Sequence, residues 1–337
     1  MATIKQIAQA AGFSPTTVSR ILNNDNSLSV TQETREKVLQ AANSLGYGRD
    51  QIPRVPYRMA VFFWITAQEE LDDVYFNTLK RSLQFYGKTY GLSLEFFEKG
   101  QLDAAQVADF DGFIAVGAFN QTERAILEQI SNNGVFIDSN PRIGHFNSVQ
   151  PDFEQIISEA LALCQTAGMT KVGFIGGQYL NPDTNQFEPD SRENIFRNYA
   201  SRAGLLDEKL IHAHDSFSVT TGQVLGKQIA ENTSACPLPN AFIVAADPIA
   251  VGVLQAFSAA GILVPRDTSL LSINNIQMAK YTSPPLSTFA INQDELCRAA
   301  LARLIDIMEN PEKQIYQRTL VSAYLVARGS FVINQAN

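Results

Sequence analysis

Residues 2–24 read ATIKQIAQAAGFSPTTVSRILNN, and residues 29–47 read SVTQETREKVLQAANSLGY. Thr3 followed three positions later by Gln6 is a capping box, in which two side chains satisfy orphan N–H groups at a helix start. Ile4, Ile7, Ala8 and Ala11 then share one helical face, and Gly12 ends the run. Ser14-Pro15 opens a second helix, because the hydroxyl caps and proline suits the first helical position. Val18, Ile21 and Leu22 turn inward on it. Thr31 caps a third helix, whose Val38, Leu39, Ala42 and Leu45 align before Gly46. A short Gly-Phe-Ser corner between the first two helices is the helix-turn-helix arrangement, which offers the second helix to the major groove of DNA. An ordinary three-helix bundle shares this spacing, so the outward side chains matter. They are Pro15, Thr16, Thr17, Ser19, Arg20 and Asn23. Arg20 suits guanine O6 and N7, Thr16 suits a thymine methyl or base edge, and the hydroxyls and Asn23 suit phosphates.

Both stretches closely resemble the headpiece of the LacI/GalR family of bacterial repressors, with TVSRILN and TREKV the most specific strings. The resemblance implies that Pro15, Thr16 and Arg20 hold base-reading positions, with Thr17, Ser19, Asn23 and Thr31 near phosphates. Thr3, Ser14 and Tyr47 complete the set of candidate DNA-binding residues. Pro15 has no side-chain donor, so reading at that position rests on apolar contact. The family usually continues with a hinge helix whose leucine wedges into the minor groove. Here residues 48–58 read GRDQIPRVPYR, where Pro53 and Pro56 disfavour a helix and no Ala-x-x-Leu occurs. The expectation is an extended basic tether with Arg49, Arg54 and Arg58 on phosphates, and an operator bent less than is usual for the family; the alternative is a flexible interdomain linker that touches nothing.

Charge is distributed to match. Residues 1–58 carry seven Lys/Arg against four Asp/Glu, although the whole chain has 26 against 34 and a net charge of −8. A basic head on an acidic body fits a chain whose head alone meets a polyanion. At 45% hydrophobic and 18% charged over 337 residues, the chain buries ample apolar area. Its apolar runs, such as MAVFFWI at 59–65, fall far short of the roughly 20 residues of a membrane span. No secretory leader is visible, and Cys164, Cys236 and Cys297 form no CxxC pair, so a cytoplasmic protein is expected.

From Arg58 onward, short apolar runs alternate with amphipathic stretches, the pattern of parallel sheets covered on both faces. The length suits two lobes. The expected fold class is therefore an all-α helix-turn-helix headpiece plus an α/β body, two-lobed and periplasmic-binding-protein-like, with doubly wound parallel sheets. The expected divisions are a headpiece at 1–47, a linker at 48–58 and a body at 59–337. Lobe one takes about 59–150 and 291–317, and lobe two about 151–290 and 318–334.

Ligands of such folds bind at the carboxyl ends of the strands. The candidate effector-binding residues are Trp64, Asp138, Arg192, Phe217, Asp247 and Asn274. The resemblance supports the same set more loosely. FIDSNPRIGHFNSVQPD at 136–152 places Asp138 in the pocket, and SRENIF at 191–196 implies Arg192 as the effector clamp, although Ile195 replaces a glycine. DSFSVTTG at 215–222 implies Phe217 as a stacking wall; AAD at 245–247 and SINN at 272–275 imply Asp247 and Asn274. Asp247 before Pro248 is equally a helix-start residue. Planar bidentate groups with an aromatic face suit a hydroxyl-rich ligand. AVFFWITAQEELDD at 60–73, SRENIF and SFSVTTG look most like galactose-operon repressors of Gram-positive bacteria, which implies a galactose-type sugar.

Other motifs are weaker. GFIGG at 173–177 lacks the remaining glycine spacing of a dinucleotide fingerprint, and His212 and His214 have no third ligand nearby. No catalytic constellation, cofactor motif or metal set is found, so no enzyme activity is expected. The reading is a DNA-binding repressor of a carbohydrate operon: its partners are double-stranded operator DNA, a small-molecule sugar effector and a second copy in a homodimer, with no membrane. The alternative is a sugar-binding protein without DNA-linked regulation. A transport protein of that kind calls for a leader and no DNA-binding head.

Overall fold

The computed structural model of the chain describes residues 3–22, 28, 30–45, 47, 57–65, 74–102, 110–131, 133–312 and 315–331. The chain divides into two compact units, residues 1–57 with 91–93 and residues 58–90 with 94–337.

The first unit contains helices α1 (Ile4–Ala11), α2 (Pro15–Leu22) and α3 (Gln32–Ser44). Local chemistry sets each start. The Thr3 N–H donates to Gln6 Oε1 at 2.8 Å while the Gln6 N–H donates to Thr3 Oγ1 at 3.4 Å. Gly12, at φ +75°, closes α1 in the left-handed region that favours glycine, and the Phe13 N–H returns to the Ala8 carbonyl at 3.1 Å. Ser14 Oγ accepts from the Thr17 N–H at 3.1 Å, and Thr31 Oγ1 from the Thr34 N–H at 3.3 Å. Ile7, Val18, Ile21, Val38 and Ala42 are essentially fully buried between the three helices. Burying each larger one contributes about 1.5–3 kcal/mol.

The second unit holds two lobes, each built on a mainly parallel sheet. Lobe one contains β1 (Arg58–Phe63), β2 (Ser93–Phe97), β3 (Gly112–Val116), β4 (Gly134–Ile137), β5 (Asn147–Pro151) and β12 (Arg318–Val321), in the order β12-β5-β4-β3-β1-β2. Its helices are α4 (Val74–Thr89), α5 (Gln121–Ile130) and α10 (Gln293–Glu309). Lobe two contains β6 (Val172–Asn181), β7 (Gln186–Pro189), β8 (Ile211–His214), β9 (Ala241–Val244), β10 (Ser269–Asn274), β11 (Ser287–Ala290) and β13 (Tyr324–Val326). The order is β13-β11-β10-β9-β6-β7, with β8 also on β6; β7 and β13 run antiparallel to their neighbours. Its helices are α6 (Phe153–Thr166), α7 (Ser191–Arg202), α8 (Val219–Glu231) and α9 (Asp247–Ala259).

The central strands are buried on both faces because helices cover each side, which is why GFIAV and AFIV read as unbroken apolar runs. Helices α8 and α9 approach closely through glycines: a Cβ on Gly252 would stand 2.0 Å from the Val219 carbonyl oxygen. The chain passes between lobes after β5, after β11 and after β12. The crossings lie side by side: the Asp152 N–H donates to the Val321 carbonyl at 3.0 Å, and the Gln155 amide meets both the N–H and C=O of Ala323 at 3.1 and 3.2 Å.

Two expectations need correction. Residues 318–321, expected in lobe two, form the edge strand of the lobe-one sheet, with Arg318 opposite Ser148 and Val321 opposite Pro151. Arg58, expected on phosphates, begins β1: its N–H donates to Asp111 at 2.7 Å and its guanidinium lies 5.0 Å from the Phe110 ring. The rest of the proposed tether, residues 48–56, lies outside the described residues, as does Asn23.

Candidate functional site

In the first unit, α2 presents Pro15 and Thr16 as exposed residues at its start, while Thr17, Ser19 and Arg20 are half-buried. Thr17 is tied back to the cap, its hydroxyl 2.9 Å from that of Ser14. The alternation follows from helical period: Val18, Ile21 and Leu22 take the inner face, so the hydroxyls and Arg20 flank the outer one. Thr3 and Thr31 are exposed caps of α1 and α3, and Tyr47 packs against the three-helix core.

In the second unit, the carboxyl ends of both sheets converge on one cleft. Arg192 is its most constrained group. Its Nε donates to Asp190 Oδ1 at 2.6 Å, one Nη to Asp190 Oδ2 at 3.1 Å, and the other Nη to the Ala245 carbonyl at 2.9 Å. Phe217 and Phe153 flank the guanidinium, with ring centres 4.4 and 4.9 Å away. Asp190 is also the N-cap of α7, so one carboxylate both starts the helix and aims the arginine. Burial alone would push the Asp190 carboxyl up, but the Arg192 charge and hydrogen bonds outweigh it and hold the carboxyl below its usual range. Burial works against the guanidinium too, and Asp190 again outweighs it, raising Arg192.

Lobe one faces this group with Tyr75 and Asp138. The Tyr75 hydroxyl donates to Asp138 Oδ1 at 2.7 Å. Burial first, then the Asp138 carboxylate, raises the Tyr75 phenol well above its usual value, and both groups lie close enough to Arg192 for their charges to act on it. Asp138 sits at φ +69°, an uncommon conformation that turns it out of β4 at the strand end. Asn274, at the end of β10, has φ +112°, and its side-chain amide has no hydrogen-bond partner among the described residues.

Trp64 follows β1 and lies flat on Gly117, where a Cβ would come within 1.9 Å of the indole. Its Nε1–H is buried without an acceptor among the described residues. Trp64, Phe119, Glu98 and Lys99 of lobe one, with Leu180 and Pro182 of lobe two, line a cavity of about 140 Å³.

Asp247 is placed differently from the other five. It is fully buried as the first residue of α9, accepting from Thr288 Oγ1 at 2.7 Å and the Ile276 N–H at 2.8 Å. These bonds fasten the start of α9 to β11 and to the segment that follows β10. Burial nevertheless pushes its carboxyl up to about 6. Tyr75, Phe153 and Asp190 were missed from the sequence. Only Asp190 left a signal there, as an acidic residue directly before the helix-starting Ser191.

Among the described residues no group of His, Cys, Asp and Glu could hold a metal ion, and no helix is long and apolar enough to cross a membrane.

Residues 3–50 match the model of bacterial regulatory proteins of the lacI family, and residues 148–331 match the periplasmic binding protein-like domain. The chain is a member of the LacI family. It is 44% identical over 331 residues to the HTH-type transcriptional regulator GanR of Bacillus subtilis (strain 168), covering 98% of this chain and 99% of that protein. It is 38% identical to the HTH-type transcriptional regulator LacR of Lactobacillus helveticus, again over 98% and 99%. The lac repressor dimer bound to operator and the anti-inducer ONPF shares the fold with a TM-score of 0.69, at 19% identity over 98% of each chain. This LacI-family member is a DNA-binding transcriptional regulator, and its relatives are regulators rather than enzymes.

Proposed function

We propose that this LacI-family chain is a cytoplasmic repressor that binds a carbohydrate operator as a homodimer and answers to a galactose-type sugar in the interlobe cleft. The observation that carries the reading is the fork of Asp190 and Arg192, stacked between Phe153 and Phe217 and opposed by Tyr75 and Asp138 from the other lobe. Three of the five guanidinium N–H donors are engaged, leaving two for ligand hydroxyls. Asp138 and Asn274 supply acceptors, Trp64 supplies an unmet N–H, and the rings supply apolar faces for sugar C–H bonds. Asp247 acts through the framework behind these groups.

On DNA, Pro15, Thr16 and Arg20 read base edges, while Thr3, Ser14, Thr17, Ser19, Asn23, Thr31 and Tyr47 hold the sugar–phosphate backbone. Sugar and operator are coupled by about 1–3 kcal/mol, a change in operator affinity of roughly 5–150-fold.

Fluorescence anisotropy with labelled fragments of the gene's own upstream region tests this, with galactose and lactose added in turn. The expected result is salt-dependent binding to one pseudo-palindromic fragment, changed by a galactoside. Binding indifferent to every sugar, with tight calorimetric binding of a purine or a sugar phosphate instead, overturns the effector class.

A further inference from the structure

We propose that the hairpin of β6 and β7 is a strap that fastens lobe two to lobe one over the outer end of the cleft, with Asp183 as its catch. The hairpin belongs to lobe two by its pairing, from Gln178 opposite Pro189 to Asn181 opposite Gln186. Its tip is stiff. Asn181 Oδ1 accepts from the N–H groups of Asp183 and Thr184 at 2.9 and 3.3 Å, and the Asn181 amide donates to Glu188 at 2.8 Å. The Asn185 N–H closes the turn on the Asn181 carbonyl at 2.8 Å.

The tip delivers Asp183 to the start of α5 in lobe one. Asp183 Oδ1 accepts the Gln121 N–H at 2.5 Å, and Oδ2 accepts from Arg124 at 3.1 Å. Arg124 in turn donates to the Phe119 carbonyl, so it is braced on its own lobe. The accounting of helix-start donors explains why a carboxylate from elsewhere fits. Asn120 and Glu123 form a capping box, with Glu123 N–H to Asn120 at 2.9 Å and Asn120 N–H to Glu123 at 2.8 Å. That box leaves the first helical N–H, of Gln121, for Asp183, where the helix dipole also favours a negative charge.

The strap has a wall as well as a catch. Leu180, Pro182 and Asn185 face Trp64, Phe119 and Asn120 across the cavity of about 140 Å³. While Asp183 is seated, it ties the two lobes together at that end of the cleft, and parting them there requires breaking both of its bonds. Passage of any ligand through this end is thereby set by one carboxylate. That last consequence rests on the cleft being the effector site; the strap itself does not.

The test needs no effector. Trp64 is the single tryptophan of the chain, so acrylamide quenching of the intact protein reads access to the cavity directly. Asp183→Ala should raise the quenching constant of Trp64 by about 3-fold to 10-fold, in line with losing a charge-assisted bond to a partly exposed site. Arg124→Ala should give part of that increase, and it carries the test alone if the Asp183 variant does not fold. Hydrogen exchange across residues 120–124 and 178–188 should accelerate in both variants, with the thermal midpoint nearly unchanged. Quenching and exchange at wild-type levels in either folded variant overturn the strap, leaving the effector reading intact. An Arg192→Ala protein with an undiminished sugar response overturns the effector reading and leaves the strap.

Discussion

Removing the Arg192 side chain should reveal how much of lobe two depends on a single fork. Arg192 and Asp190 are only 13% and 12% exposed, and they meet through contacts of 2.6 and 3.1 Å. Truncating one partner of such a pair strands the other charge in a poorly solvated site, at a cost of about 3–5 kcal/mol. The two flanking rings at 4.4 and 4.9 Å lose their cation as well. Arg192→Ala should therefore lose about 3–5 kcal/mol in urea unfolding followed by far-ultraviolet circular dichroism. The double variant Asp190→Asn with Arg192→Met keeps an N-cap oxygen and an apolar filler, and a buried pair replaced in this way is close to neutral. It should recover most of the loss, bind operator normally, and fail to respond to sugar. Additive unfolding energies across the cycle, or a double variant that still responds to sugar as the parent does, would refute the reasoning.

Asp247 carries a pH signature of opposite sign to the usual carboxylate. Its folded pKa of about 6 exceeds the ordinary 3.8, so its stabilising share is complete below pH 3.8 and is lost as pH rises through 6; Asp247→Asn should gain about 2–3 kcal/mol on the parent between pH 4 and pH 7 in denaturant titrations. Gly252→Ala places a Cβ 2.0 Å from the Val219 carbonyl oxygen and forces α8 and α9 apart, so thermal unfolding should show a loss of about 1–3 kcal/mol or more. Arg20→Ala should weaken operator binding by about 1–3 kcal/mol and relax preference at one base pair, leaving non-specific binding little changed, as read by anisotropy on base-substituted operators.

What the sequence discloses is mostly what is local. Thr3 and Gln6, Ser14 and Pro15, and the Gly12 corner announce themselves because each cap completes its bonds within three or four residues. The buried strands β1, β3 and β9 are equally plain, since both faces demand apolar side chains. Strand β12 is not plain: RTLV alternates exposed with half-buried positions, and only pairing with β5, some 170 residues earlier, gives it a lobe. The site divides along the same line. Asp138 and Asn274 stand at strand ends, which a strand-and-helix reading can locate. Tyr75 lies on an amphipathic helix and meets Asp138 across 63 residues, leaving no local pattern. Asp247 shows the limit most clearly. The string AAD is the same whether its carboxylate turns to a ligand or to a framework, and Thr288, 41 residues on, decides the matter.

The triple passage of the chain between lobes bears on synthesis. The six strands of lobe two from β6 to β11 are all in hand once residue 290 has been made, and only its antiparallel edge is still to come. Lobe one, begun earlier, must wait for α10, which packs against α4, β4 and β5, and for β12, which covers the open edge of β5. A ribosome thus brings the later lobe close to completion while the earlier one still lacks a helix and an edge strand. Translation halted between residues 290 and 318 leaves a nearly whole second lobe beside a first lobe with a bare strand edge.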